Sequence, residues 1–254
     1  KYKSDEDLWQ QKDYWVTQAL KNLAESSYSD KVVFKGGTSL SKAFRLIDRF
    51  SEDIDLALLP QGGSAHAQKS LLKCVESAVT TNLVCLKGDK RESKGSRFRK
   101  TVYHYPRCIE GADFGQASPE LLIEINGFTQ PEPVEQRALS TLIAEVMIGK
   151  GQQTLIEQYH LQGFTINVLS VKRTLVEKIL GIIKDSYHDD PVAKLSNRIR
   201  HLYDICLILR EKQYRAFIRS EHFKSLCQQC IDNETAGAFD GADYLMHPLI
   251  EAPL

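Results

Sequence analysis

The sequence has no excess of charge of either sign: 33 lysines and arginines balance 33 aspartates and glutamates over 254 residues. No field of the whole molecule draws in a polyanion, so contact with nucleic acid has to come from a local patch. No run approaches the roughly 18 apolar residues of a membrane span, and no signal-peptide pattern opens the sequence. The expectation is a soluble, cytoplasmic protein with no membrane partner. Six cysteines, at 74, 85, 108, 206, 227 and 230, lack the regular spacing of a secreted disulfide scaffold, which predicts reduced thiols. Cys227 and Cys230 form a CxxC pair, but no second pair accompanies it and His222 does not complete a zinc-ligand spacing. Internal repeats and low-complexity segments are also missing.

The chain is long enough to bury roughly 70% of its unfolded surface, as one large domain or two lobes. Leu8, Trp15, Val16, Ala19, Leu20 and Leu23 have helical spacing over 7–25, and the β-branched "KVVF" at 31–34 predicts a strand that stops at Gly36-Gly37. Leu40, Ala43, Phe44 and Ile47 predict a short helix capped by Thr38 or Ser39. A strand over 54–59 and a helix over 65–80 follow, then a hairpin of 83–90 with 97–105 about the turn "ESKGS". Another strand is expected at 120–127, a helix at 135–149 and a strand in "FTINVLS". Residues 171–185 carry Val171, Leu175, Ile179 and Ile182 on one helical face, and 192–210 carry Leu195, Ile199, Leu202, Cys206 and Leu209. From about 231 the chain turns polar and Gly-rich.

The chemistry concentrates in "FKGGTSLSKAFRLIDRFSEDIDLALL", residues 34–59. On a strand, residues i and i+2 share a face, so Asp53 and Asp55 project together while Ile54 and Leu56 face the core. Two like charges on one side repel unless a divalent cation lies between them, and hard oxygen ligands select Mg2+ or Mn2+. Standing alone, an Asp-x-Asp is more often a solvated strand edge. Here a strand ending in Gly36-Gly37 and followed by Thr38 and Ser39 offers unobstructed backbone amides to phosphate oxygens. Glu124, alternating with Ile123 and Ile125, is the candidate third carboxylate, with Asp113 its competitor.

This glycine turn followed by Asp-x-Asp resembles the nucleotidyltransferase superfamily that includes DNA polymerase β. The longer stretch "GGTSLSKAFRLIDRFSEDIDL" is similar to the first motif of the AbiEii/AbiGii-type toxin nucleotidyltransferases, whose extended pattern includes Arg49 and Ser51. "RTLVEKI" at 173–179 resembles that family's lysine motif and "RIRHLYDI" at 198–205 its closing Arg-x-x-x-Asp motif. The resemblance implies functional roles for Lys178 and Asp204. Where relatives carry an acidic residue directly after the closing arginine, this chain has His201, so either His201 or Asp204 fills that role.

The resemblance further implies an α/β (α+β) fold: a polymerase β-like core with a mixed sheet over residues 1–134, a mainly helical C-terminal lobe over 135–230, and a loosely ordered tail over 231–254. NTP would lie between the lobes, with Asp53, Asp55 and Glu124 as metal ligands and catalytic residues. Gly36, Gly37, Thr38, Ser39, Arg49, Ser51 and Lys178 would hold the nucleotide. The acceptor implied is RNA, the tRNA 3′ end, and a cognate antitoxin is the implied partner. Between Lys87 and Arg107 eight basic residues face two acidic ones, with Phe98, Tyr103 and Tyr105 interleaved. Arg97, Arg99 and Lys100 are therefore RNA-binding candidates, against the alternative of a solvated hairpin. Two rival functions stay open: transfer to a small-molecule or protein hydroxyl, and a nucleotide-binding regulatory module without turnover.

Overall fold

Val32, Val33 and Phe34 are fully buried, as a strand of β-branched and aromatic residues in the middle of a sheet should be. In the computed structural model, which describes residues 5–49, 51, 53–107 and 120–236, this strand is β1, Val32–Lys35. It follows α1, Asp5–Ala24, and leads into α2, Gly36–Lys42. Then come β2, Ile54–Leu58; α3, Ala65–Val79; β3, Val84–Cys85; β4, Ser93–Lys94; and β5, Phe98–His104. β6, Leu121–Asn126, and β7, Val134–Leu139, precede α4, Leu142–Gly149, and α5, Gln153–Gln158. Among the described residues β8, Phe164–Leu169, is followed only by helices: α6, Val171–Ser186; α7, Pro191–Ser196; α8, Ile199–Ile208; α9, Lys212–Phe217; and α10, Glu221–Ala236.

The strands of the described residues form one mixed sheet in the order β3-β5-β6-β2-β1-β8-β7, with β4 paired to β5. β2 is antiparallel to β1 and parallel to β6, so the start of β2 lies beside both the end of β1 and the middle of β6. One face is covered by α1 and α3. There Leu20 and Leu23 of α1 and Leu72, Val75 and Val79 of α3 pack on Ile54, Leu56, Leu121 and Ile123. A second core forms around α6, where Leu175, Val176 and Leu180 meet Ile208, Phe217 and Leu226, together with Leu40 and Ile47. No helix among the described residues is long and apolar enough to cross a membrane.

Five expectations need correction. The helix expected over 135–149 is a strand followed by a helix. Glu135, Gln136, Arg137 and Ala138 are good helix formers, but β7 is the sheet's last strand and pairs along its whole length with β8. Pairing overrides propensity there, and the charged side chains suit an exposed edge. The sheet therefore runs across the division expected near residue 134, and the all-helical part begins at Val171. The expected hairpin of 83–90 with 97–105 is shared: β5 pairs with β3 at one end and with β4 at the other. The helix expected over 192–210 is two helices, and Ile199, Leu202 and Cys206 of the apolar stripe are exposed while Asp204, Leu207 and Ile208 are buried. Lastly, residues 231–236 complete α10, whereas 237–254 lie outside the described residues.

Candidate active site

The end of β1 sets the geometry. Lys35 is extended, and α2 begins at Gly36 itself, earlier than a cap at Thr38 or Ser39 would allow. Gly36 has φ +80, and a Cβ there would lie 2.0 Å from Asp55 Oδ2; a Cβ on Gly37 would lie 2.5 Å from the Arg49 guanidinium and 3.1 Å from Ser51 Oγ. The absent side chains let Asp55, Arg49 and Ser51 close directly on the backbone. Gly36→Ala should therefore remove activity and lower the melting temperature by several degrees. Gly62→Ala, also at positive φ (+66) but facing open space, should cost only the roughly 1–2 kcal/mol of left-handed strain. Equal melting temperatures for the two variants would refute the close packing of Asp55 on Gly36.

Thr38 and Ser39 are fully buried and spent on the fold. The Thr38 hydroxyl donates to the Asp53 carbonyl at 2.5 Å, so the Ser51 hydroxyl, 2.9 Å from Thr38 Oγ1, donates to Thr38. Ser39 donates to the Gly36 carbonyl at 2.8 Å. These hydroxyls shape the turn and are taken up within it. Ser51 precedes β2 instead of lying on it, and faces the glycine pair.

On β2, Ile54 and Leu56 are buried in the core and Asp55 takes the other face, as alternation predicts. Glu124 is the register partner of Asp55 on the parallel strand β6, and Lys35 is its partner on β1. Burial pushes the Asp55 carboxyl up to about 7, with Glu124 and then Asp53 adding repulsion against the opposing pull of Lys35 and Lys178. Lys100 is an ion-pair partner of Glu124. Among the described residues no three of His, Cys, Asp and Glu are already gathered into a metal cluster. The donor set nevertheless suits a hard cation, because Glu124 and Asp53 lie near enough to Asp55 to oppose its ionisation. Asp113 lies outside the described residues.

The closing motif behaves differently from a surface helix. Asp204 has 0% exposure and does not pair with Arg200 four residues earlier. It accepts two hydrogen bonds from Arg49, at 2.7 and 2.8 Å, and one from Lys178, at 2.9 Å. Burial alone would raise its carboxyl, but Arg49 and Lys178 hold it below the usual carboxylate range. Lys178 is only 6% exposed. His201 is pushed down to about 4 by burial and then by Lys178 and Arg198, and its Nδ1 has no hydrogen-bond partner. Asp204, not His201, therefore makes the contacts that join α8 to the glycine turn. Sequence reasoning passed over Lys35 and Glu177, which pair at 2.6 Å and tie the end of β1 to α6, with Arg173 also donating to Glu177 at 3.2 Å. The signals were present: each adjoins a motif residue, Gly36 or Lys178.

The sequence over residues 18–244 matches the family described as nucleotidyl transferase AbiEii toxin, type IV toxin-antitoxin system. The chain belongs to this AbiEii family. No curated protein matches it. Among solved structures, the nucleotidyltransferase toxin MenT4 from Mycobacterium tuberculosis H37Rv is 18% identical, with a TM-score of 0.40, over 71% of this chain and 53% of that protein. The chain thus spans about half of MenT4, and nothing below rests on that likeness.

Within this AbiEii chain the basic run does not form one open patch. Arg99 is 8% exposed and points under the sheet, where Glu76 accepts from its Nε at 2.7 Å, from Thr101 at 2.8 Å and from Tyr103 at 3.2 Å. Lys100 is engaged by Glu124, and the rings of Tyr103 and Tyr105 are buried. Strand alternation explains this: every second residue of β5 faces α3. Arg99 is thereby removed from the RNA-binding candidates, and Arg97 alone of the three is exposed. The CxxC thiols are buried in the second core, and burial pushes Cys227 up to about 11 and Cys230 up to about 12. They are packing residues, not a redox pair.

Proposed function

We propose that this chain transfers a nucleoside monophosphate from an NTP to the terminal 3′-hydroxyl of an RNA acceptor, the acceptor being tRNA, and acts as the toxin of a pair with a cognate antitoxin. The observation carrying this reading is the packing of Asp55 between Gly36 and Glu124, which sets the carboxylates beside a half-buried turn of backbone with no side chain in the way. The acceptor oxygen attacks the α-phosphorus in line, the bond to the β-phosphate oxygen breaks, and pyrophosphate leaves. Mg2+ or Mn2+ held by Asp53, Asp55 and Glu124 would promote loss of the hydroxyl proton and neutralise the triphosphate.

The chain's own groups supply the rest. The backbone at Gly36 and Gly37 approaches the phosphates without side-chain obstruction. Lys178 presents a positive charge that already bears on Asp55, while Asp204 fixes its position. Arg49, held by the same carboxylate, borders Gly37 and orients the turn. Lys100, in contact with Glu124, is the group that must yield when a ligand occupies that carboxylate.

The test is incubation with each α-labelled NTP, Mg2+ and total RNA, with and without EDTA. Label should appear in a tRNA-sized band only when metal is present. Label on protein or on a small molecule would redirect the acceptor assignment, and NTP retained without turnover would overturn the reading.

A further inference from the structure

A second cavity, of about 410 Å3, lies at the other end of β2 and β6. It opens between the turn that follows β2, the first turn of α3 and the turn that follows β6. Roughly 13 Å of strand separates Asp55 from Leu59 at its rim. Leu58 in its wall shares the core-facing side of Ile54 and Leu56, opposite Asp55. It is therefore separate from the carboxylate site, and its volume is within the range of small-ligand cavities.

The wall has a one-sided charge. Lys31 and Arg97 both line it, none of the described lining residues is acidic, and neither cation has a carboxylate partner among the described residues. In a chain of zero net charge, where Arg49, Arg91, Arg99, Lys35, Lys100 and Lys178 are all paired, two unneutralised cations in one concavity make a local anion field. The mounts are fixed. The Lys31 ammonium lies 5.8 Å from the Tyr28 ring centroid, and the Arg97 carbonyl accepts from Gly127 N at 2.8 Å.

Beside the cations stands an aromatic ring with amide groups. Phe128 packs on Phe98 with centroids 6.2 Å apart, which holds its ring at the wall. Gln68 donates its amide to the Gly127 carbonyl at 2.5 Å, leaving its own oxygen as an acceptor, and Gln61 and Gln130 bring further donors and acceptors. Cations for a phosphate, a ring for stacking and amides for a base edge are the complement of a nucleotide.

We propose that this cavity binds a nucleoside monophosphate unit, its phosphate met by Lys31 and Arg97 and its base by Phe128. The unit is a residue of an RNA strand or a free nucleotide, and the two sources are separable. If RNA, the site extends the acceptor reading above, yet it is tested without transfer.

Binding is measured on the whole chain without NTP or divalent cation: labelled single-stranded RNA by anisotropy across a salt series, and AMP and UMP by calorimetry. For Lys31→Glu with Arg97→Glu, RNA affinity should fall at least about tenfold and the log-log salt slope should flatten by roughly 0.7, the value for one lost phosphate contact on a single strand. Phe128→Ala should weaken binding about tenfold with the slope unchanged. Lys31→Ala with Arg97→Ala gives the same directions should the charge reversal misfold, and Lys150→Glu, an exposed lysine elsewhere, controls for net charge. Loss of RNA binding identifies a strand residue; loss of AMP or UMP binding alone identifies a free nucleotide. The proposal is overturned if the parent binds neither, if a folded double variant binds as the parent does, or if Lys150→Glu is equally weakened. Arg97-dependent RNA binding in a chain that labels no RNA would sink the acceptor reading and leave the cavity's assignment standing.

Discussion

Asp55→Asn should abolish transfer and, in metal-free buffer at pH 8, raise the melting temperature. Without Mg2+ or Mn2+ the Asp55 carboxylate is a burden on the fold, because burial, Glu124 and Asp53 all oppose its ionisation. Its folded pKa, raised to about 7, exceeds the unfolded value near 3.8, so between these the folded state binds more protons and stability falls as pH rises. Above pH 7 the whole penalty is present. The amide keeps the shape beside Gly36 and removes the charge, a gain of roughly 1–3 kcal/mol after discounting for the open side of the sheet. That corresponds to a rise of several degrees in a chain of this size. The gain should shrink toward pH 4, where the folded carboxyl is protonated and the unfolded one is about half protonated, so most of the penalty has gone. Transfer should drop about a thousandfold or more, the scale of losing a charge stabiliser in the transition state. Melting curves at pH 8 and pH 4 with EDTA decide the point, and an Asn variant less stable than the parent at pH 8 would count against the crowded-carboxylate site.

Asp204→Asn should do the opposite to stability. This carboxylate lies between Arg49 and Lys178 at 0% exposure, and its loss leaves two cations facing one another with no counter-charge between them. Breaking a buried ion pair from one side costs roughly 3–5 kcal/mol, about 10 °C here. Lys178→Met should cost less, since Asp204 keeps both hydrogen bonds from Arg49. Activity should fall in both, but the pH dependence of kcat/KM in Asp204→Asn should keep the parent's shape, because Asp204 is held ionised and positions other groups without exchanging protons. A missing acidic limb in that variant would make Asp204 a proton-transfer group.

The motif stretch reads well in sequence because its logic is local. The Gly-Gly turn, the alternation of Ile54, Asp55 and Leu56, and the alternation of Ile123, Glu124 and Ile125 each lie within a few residues, and the parallel register brings them side by side. What sequence could not show were partners fixed by the fold. Nothing near Asp204 announces Arg49, which lies 155 residues away in the chain. The apolar stripe through Ile199, Leu202 and Cys206 has helical periodicity, but periodicity reports that a face is apolar, not that something covers it. In α8 the ion pair draws the Asp204 face inward and leaves part of the stripe exposed. Arg99 failed as an RNA contact for a related reason: its partner Glu76 sits on α3, which alternation alone could not place opposite β5.

The two hydrogen bonds from Arg49 to Asp204 close a loop of 155 residues. During synthesis the glycine turn and the carboxylates of β2 leave the ribosome long before α8 does, and until then Arg49 and Lys178 lack the carboxylate that positions them. A nascent chain cannot hold this arrangement, however well its earlier strands have paired. The site would thus stay incomplete at the ribosome making it, gaining competence only once α8 has been translated.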